Sequence, residues 1–195
     1  MVLEEFCEIF RRNVGGRFNS WSDFRKFAEN FDLCFSHGAT RAVFYAKDWD
    51  FVVKMCLKNQ HNYNDDEVEH YKSGVKYGIE KVLLETSFIA EINGFALYKQ
   101  PRYDFAFCEM PKNFRRALKR KGVEDLAEKP IVEKIQYGSY TSIQNLWLAY
   151  ALLLYGKKFM LSFEKWQKEN RVNDLHNGNI GFYKGRPIIL DYAGY

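Results

Sequence analysis

The sequence predicts an α+β fold in two lobes that are joined near Gln100. Three observations predict it: two amphipathic segments open the chain, short apolar runs separated by turn residues follow, and apolar segments with helical spacing come near the end. The hydrophobic period changes near residue 32, and Pro101 ends the last strand of the sheet-bearing part. We therefore expect a helical extension over 1–31, a sheet-bearing lobe over 32–100 and a helical lobe over 101–195.

Apolar spacing predicts two helices in the first part of the chain. Phe6 and Phe10 share one face of residues 3–12, which indicates an amphipathic helix. A second short helix begins at Ser20 or Ser22, because a serine is a favoured residue at a helix N-terminus.

Short apolar runs then predict an antiparallel sheet. Three strands of a meander are expected at 33–36, 42–46 and 51–56. A helix is expected over 64–77. Asn93-Gly94 joins the runs 88–92 and 95–99 as a hairpin, because this dipeptide adopts the positive φ angles of a tight turn.

The last part of the chain is predicted to be helical and to end in a hairpin. Two consecutive helices are expected at 142–155 and 158–170, and hairpin strands at 180–183 and 188–190. A basic helix near 111–121 is expected to present its charges to solvent, the alternative being that it binds an anionic partner.

Composition excludes several broad classes of protein. The 195 residues include 29 basic and 25 acidic side chains, a formal charge of +4, so nucleic acid is not indicated as a partner. A hydrophobic share of 47% is too high for a disordered chain. The longest apolar run, 146–155, is well short of the ~20 residues of a membrane span, and residues 1–5 do not resemble a signal peptide. Widely spaced cysteines without a C-x-x-C pair are typical of a cytoplasmic protein, and we expect no membrane partner.

Three polar side chains near the end of the chain point to chemistry. Asn179 follows Asp174 by five residues, and Asp191 lies beyond a short hairpin, so all three are expected at one end of a small sheet. Mg²⁺ binds hard oxygen ligands, few of them from protein, with phosphates and water filling the remaining positions. A carboxylate outside the metal shell can accept a proton from an attacking hydroxyl.

These residues lie in two recognisable motifs. Residues 174–179 read Asp-Leu-His-Asn-Gly-Asn and residues 191–194 read Asp-Tyr-Ala-Gly, and together they resemble the catalytic and metal-binding loops of the protein-kinase-like superfamily. They are most similar to the loops of aminoglycoside and other small-molecule kinases, and of small atypical kinases of bacteria and phages. The resemblance extends upstream to about residue 33, in the same motif order.

The resemblance implies a protein that binds ATP and Mg²⁺. Asp174 would be the catalytic base, and Asn179 and Asp191 would be metal ligands. The His at position 176 would support the loop rather than react. Because the sequence ends four residues after Asp191, we expect a much reduced helical C-lobe without the usual peptide-substrate platform.

The resemblance also assigns residues in the sheet-bearing lobe. Lys54, in Val52-Val53-Lys54, would contact the α- and β-phosphates, held by Glu67, which fits the expected helix spacing better than Glu69. Gly38 would lie in the loop that covers the phosphates. The backbone of residues 98–101, with Gln100, would meet adenine as the hinge.

The glycine loop departs from the family pattern. Of the three expected glycines only Gly38 is present, and Ser36 and Arg41 occupy the other two positions. Cover of the phosphates by backbone amides would therefore be looser, or Arg41 would supply a charge in its place.

Two functional hypotheses follow, and the sequence leaves both open. The first is an ATP-dependent phosphotransferase whose acceptor is unknown, with nucleotidyl transfer by the same groups as a variant. The second is a pseudokinase, an interaction module that binds a protein partner with or without a nucleotide.

Overall fold

The computed structural model describes residues 1–102 and 142–193, apart from positions 17, 59, 174, 176, 177, 184 and 185. The helices are α1 (Leu3–Asn13), α2 (Trp21–Asn30), α3 (Tyr63–Tyr77) and α4 (Ser142–Asn170). The strands are β1 (Cys34–His37), β2 (Arg41–Tyr45), β3 (Phe51–Cys56), β4 (Ser87–Ile92), β5 (Phe95–Pro101), β6 (Ile180–Tyr183) and β7 (Arg186–Ile189). The predicted α+β class is confirmed, whereas the basic helix expected near 111–121 lies outside the described residues.

Two short helices precede the sheet, close to where the apolar spacing places them. Ser20 is the residue that begins α2: its hydroxyl accepts a hydrogen bond from the backbone N–H of Asp23, and the Asp23 carboxylate accepts one from the backbone N–H of Ser20. This reciprocal arrangement satisfies backbone donors that a helix start leaves without intrahelical partners.

Five strands form one antiparallel sheet in the order β1-β2-β3-β5-β4. The first three strands form the predicted meander, and α3 lies between β3 and β4 in the chain. Asn93 and Gly94 have φ angles of 55° and 78° and join β4 to β5, as the dipeptide predicts. The atoms nearest to a β-carbon at Gly94 belong to the end of the flexible Lys58 side chain, so the positive φ angle is the feature that favours glycine there.

One face of this sheet is covered by aromatic side chains. Alternate residues of β2, β3 and β5 contribute Phe44, Val53, Met55 and Leu97, all of them fully buried. Helices α1 and α2 add four phenylalanines to the same core: Phe6, Phe10, Phe24 and Phe27. The helices that the sequence analysis set apart as an extension are therefore packed into the core of the sheet.

Helix α4 contains one break. Gly156 has φ 79° and ψ 172°, which is outside helical geometry, and helical backbone lies on both sides of it. The two helices predicted at 142–155 and 158–170 therefore correspond to the two parts of α4. A β-carbon added at Gly156 would have no atom within 4 Å, so the backbone angles alone require glycine.

The described chain divides into two compact units. The first contains Met1–Val68 and Glu85–Arg102, that is α1, α2, the whole five-stranded sheet and the beginning of α3. The second contains Glu69–Leu84 together with the described residues after Arg102. The core of the second unit is built around two buried tryptophans, Trp147 and Trp166, whose indole N–H groups donate to the carbonyls of Ile188 and His70 at 3.1 and 3.0 Å.

In the described ranges, no helix combines the length and the apolar character that crossing a bilayer requires.

Candidate functional site

The second face of the five-stranded sheet carries polar side chains. Lys54 of β3 pairs with Tyr98 of β5, and Val52 pairs with Gln100, so Lys54 and Gln100 lie on the same face. Arg41 of β2 pairs with Cys56, two residues from Lys54, and shares that face. We call this surface, opposite the aromatic core, the polar face.

Lys54 and Glu67 form an ion pair on the polar face. The Lys54 Nζ lies 2.5 Å from Oε2 of Glu67, in the first part of α3. Glu67 is fully buried and the Lys54 side chain is 6% exposed. The structure thus brings together the two residues that the sequence pairs, whereas Glu69 is exposed and contacts Lys72 at 2.7 Å.

Arg41 is a second cation on the same carboxylate. Its Nη1 lies 2.6 Å from Oε1 of Glu67, and its side chain is 7% exposed. The sequence analysis considered Arg41 as a charge in the glycine loop, but this guanidinium is directed at Glu67 instead. Alternation along β2 and β3 puts both cations on one face, but the contact itself depends on the register in which the two strands pair.

Two neutral side chains complete the group. Thr86 donates its hydroxyl to Oε2 of Glu67 at 2.9 Å, and Gln100 donates its Nε2 to Oγ1 of Thr86 at 3.0 Å. Both residues are buried. The sequence analysis missed Thr86, because a single threonine before a strand carries no pattern that distinguishes it. We refer to the five residues as the buried polar cluster: Arg41, Lys54, Glu67, Thr86 and Gln100.

The predicted hinge lies at the end of β5. The ladder between β4 and β5 reaches only the pair Ser87–Lys99, whereas the ladder between β3 and β5 continues to Phe51–Pro101. Gln100 therefore contributes its side chain to the buried polar cluster and its backbone to the pairing with β3.

The side chains next to the cluster, Cys56 and Tyr98, are also buried. Burial raises the pKa of the Cys56 thiol, which lies on the polar face and accepts a hydrogen bond from the Asn64 amide at 3.5 Å. Burial also raises the pKa of Tyr98, and the hydrogen bond that its hydroxyl donates to Asp65 adds to the effect. Charges are strongly penalised in such an environment unless they are paired and hydrogen-bonded.

The predicted phosphate loop connects β1 to β2. Gly38 donates its backbone N–H to the carbonyl of Arg41 at 2.9 Å and has an exposed position. A β-carbon at Gly38 would meet no atom within 4 Å, and its φ angle does not require glycine. Neither the backbone angle nor the packing in the described residues thus explains a glycine at this position.

The structure places two of the predicted metal ligands at one end of the β6–β7 hairpin. Asn179 directly precedes β6, its carbonyl accepts the N–H of Leu190 at 2.8 Å, and Asp191 is the next residue. Asp191 accepts a hydrogen bond from the N–H of Ala193 at 3.5 Å. Asp174, the predicted catalytic base, lies outside the described residues.

The donor set at this end of the hairpin fits Mg²⁺. An amide and a carboxylate are hard oxygen ligands, and Mg²⁺ normally takes only one or two carboxylates beside phosphates and water. Within the described residues, no group of three or more His, Cys, Asp or Glu side chains is placed to hold a metal ion.

Comparison with protein-family models, with curated proteins and with solved structures gives no match for this chain.

Proposed function

We propose that this protein is an ATP-dependent phosphotransferase with a two-lobed, kinase-like fold. The observation that carries the proposal is the buried ion pair between Lys54 on the third strand and Glu67 on the following helix, at 2.5 Å. In protein kinases a lysine on the third strand contacts the nucleotide phosphates and is held by a glutamate of the next helix. The motifs around Asp174 and Asp191 support the same assignment.

In this proposal each predicted residue has one role. Lys54 binds the α- and β-phosphates, and the open space beside Gly38 accommodates the phosphate chain. The backbone near Gln100 meets the adenine ring. Asn179 and Asp191 hold Mg²⁺, which when bound neutralises charge on the phosphates.

The chemical step requires little from the protein beyond positioning. Phosphoryl transfer depends mainly on orientation of the reactants and on compensation of negative charge. Asp174 accepts the proton of the acceptor hydroxyl, and Lys54 compensates charge on the bound phosphates.

Calorimetric titration of the protein with ATP, with and without Mg²⁺, tests the nucleotide site. We expect binding that strengthens with Mg²⁺ and is weakened by Lys54→Met and by Asp191→Ala. Lys26→Met is the matched control, because Lys26 is an exposed lysine of helix α2 that lies in none of the predicted sites. Unchanged ATP affinity in Lys54→Met would contradict the proposed phosphate contact.

A second measurement separates binding from transfer. Release of ADP from ATP, with water as the acceptor, should be lost in Asp174→Ala while ATP affinity is retained. Equal turnover by this variant and the unmodified protein would remove the catalytic assignment. Absence of ATP binding with or without Mg²⁺ would instead favour the interaction-module hypothesis.

A further inference from the structure

We infer that Arg41 and Thr86 are positioning residues that orient the Glu67 carboxylate and, through it, the Lys54 ammonium. The part of this inference that concerns the nucleotide rests on the proposed function, whereas the part that concerns Lys54 is testable without any ligand. Thr86 lies outside the motifs that the resemblance assigns. Arg41 occupies a glycine position of the expected phosphate loop, where the resemblance implies a charge near the phosphates and not a contact with Glu67.

The two oxygens of Glu67 are divided between different donors. Oε1 accepts from Arg41 at 2.6 Å, and Oε2 accepts from Lys54 at 2.5 Å and from Thr86 at 2.9 Å. The terminal torsion of a glutamate side chain has no sharp intrinsic preference. Lys54 alone, as a single point charge, would not fix the plane of the Glu67 carboxylate. Donors on both oxygens do fix it.

The orientation of the Thr86 hydroxyl is also fixed by its neighbours. A hydroxyl carries one proton to donate and accepts through its lone pairs. Because Gln100 donates Nε2 to the Thr86 oxygen at 3.0 Å, the hydroxyl proton is directed to Glu67. Gln100 thus influences Lys54 indirectly, through hydrogen bonds that pass from Gln100 to Thr86 and from Thr86 to Glu67.

The donors are anchored in the sheet itself. Arg41 lies on β2, Lys54 on β3 and Gln100 on β5, and Thr86 directly precedes β4. Neighbouring strands are held by backbone ladders, with Val43 opposite Lys54 and Tyr98 on its other side. The orientation of Glu67 is therefore set by the strands of the first unit.

Stability alone does not account for such an arrangement. Burying three charged groups has a large desolvation cost, and well-packed apolar side chains of similar volume are commonly as stable or more so. The three charges are 7% exposed or less at their side chains. The arrangement fixes the orientation of the Lys54 ammonium, and a fixed ammonium is suited to contact a phosphate.

The test follows the Lys54 ammonium by ¹H–¹⁵N NMR of the full chain, in parallel with calorimetric titration of ATP and Mg²⁺. The Lys54 signal is identified by its loss in Lys54→Met. We expect a signal protected from solvent exchange in the unmodified protein, and its loss in Arg41→Met and in Thr86→Val. ATP affinity should fall about tenfold in each, as expected for loss of one charge-assisted hydrogen bond.

Conservative variants and a control separate positioning from general damage. Arg41→Lys and Thr86→Ser should restore the Lys54 signal and most of the affinity, because each keeps a donor. Arg12→Met removes an exposed arginine whose side chain is 76% accessible, and should change neither readout. If Arg41→Met does not fold, as judged by its thermal transition, Arg41→Lys and Thr86→Val carry the test.

The outcomes are distinct. A Lys54 signal that persists unchanged in both Arg41→Met and Thr86→Val overturns the inference. Reduced ATP affinity in Arg41→Met with an unchanged Lys54 signal also overturns it, since Arg41 would then act on the nucleotide directly. If the unmodified protein binds no ATP, the proposed function fails, and the Lys54 signal still decides whether Arg41 and Thr86 position this lysine.

Discussion

At the level of single residues, Glu67 holds the buried polar cluster together. It is fully buried and receives hydrogen bonds from Arg41, Lys54 and Thr86. If Lys54 is replaced, the Glu67 carboxylate still has Arg41 as a cationic partner. If Glu67 is replaced, both Lys54 and Arg41 lose the carboxylate to which they are paired. The cost of a substitution should therefore depend strongly on which member of the cluster is changed.

We expect Glu67→Gln to lower the free energy of unfolding by about 3–5 kcal/mol, the usual cost of removing one side of a buried ion pair. Lys54→Met should cost clearly less, because Glu67 keeps Arg41 at 2.6 Å. Urea denaturation of each variant measures both values.

Glu69→Gln is the matched control for this experiment. Glu69 is on the same helix, has a side chain that is 69% exposed and contacts Lys72 at 2.7 Å. Exposed pairs of this kind contribute little, so a change of less than about 1 kcal/mol is expected. Equal costs for Glu67→Gln and Lys54→Met would mean that Arg41 does not compensate the carboxylate.

At the level of elements, helix α2 depends on the reciprocal contacts between Ser20 and Asp23. The Ser20 hydroxyl lies 2.7 Å from Oδ2 of Asp23, and the backbone N–H groups of Asn19 and Ser20 donate to the same oxygen. The Ser20 hydroxyl, followed by the Asn19 N–H, holds the pKa of Asp23 below its ordinary value.

This lowered pKa predicts an acid-sensitive helix start. Because the folded-state pKa of Asp23 lies below the unfolded value, its stabilising contribution is fully present above the unfolded value and is lost as the pH falls through the folded one. Ser20→Ala should raise the pKa of Asp23 towards its ordinary value, as followed by NMR titration of the carboxyl carbon. Ser22→Ala, an exposed serine of the same helix, should leave the titration unchanged.

The break in α4 leads to a second prediction at this scale. Gly156→Ala should lower the free energy of unfolding by more than about 1 kcal/mol, because φ 79° with ψ 172° is strained for any residue with a β-carbon. Gly38→Ala is the control, since neither its backbone angle nor its surroundings oppose a β-carbon. Thermal unfolding compares the two, and similar losses in both would contradict the backbone explanation.

At the level of the whole molecule, the first unit depends on residues far apart in the chain. The Phe10 ring of α1 lies 6.3 Å from Phe24 of α2, 6.4 Å from Phe44 of β2 and 6.0 Å from Phe95 of β5, measured between centroids. The sheet therefore shares its core with the first two helices, and they stabilise each other through buried aromatic area.

Phe10→Ala should accordingly lower the free energy of unfolding by about 3–5 kcal/mol, through lost apolar contact and the cavity that it leaves. The matched control is Phe88→Ala, because Phe88 lies on β4 with 57% of its surface exposed. Its loss should cost about 1 kcal/mol or less, the size of a single cross-strand contact with Tyr98. Urea denaturation that ranks the two variants equally would mean that α1 is not part of this core.

Local patterns predicted the elements well because their causes are local. Residues 51–56 were predicted as a strand and form β3 with those bounds, and Asn93-Gly94 was predicted as the hairpin turn that it forms. Alternation of side chains and the backbone angles of single residues are properties of neighbours in the chain. Contacts between distant residues have no such signature, and for this reason Thr86 was missed and Arg41 was assigned to a loop.

The sequence by itself determined the α+β class and the order of the elements, because hydrophobic periodicity encodes them, and the resemblance to the kinase-like superfamily implied the Lys54–Glu67 pair. Only the tertiary structure decided that α1 and α2 belong to the core of the sheet and that Arg41 and Thr86 join Glu67. The physical reason is the same in both cases. Strand pairing brings distant residues together. It therefore determines which apolar face is covered and which donors compensate a buried charge.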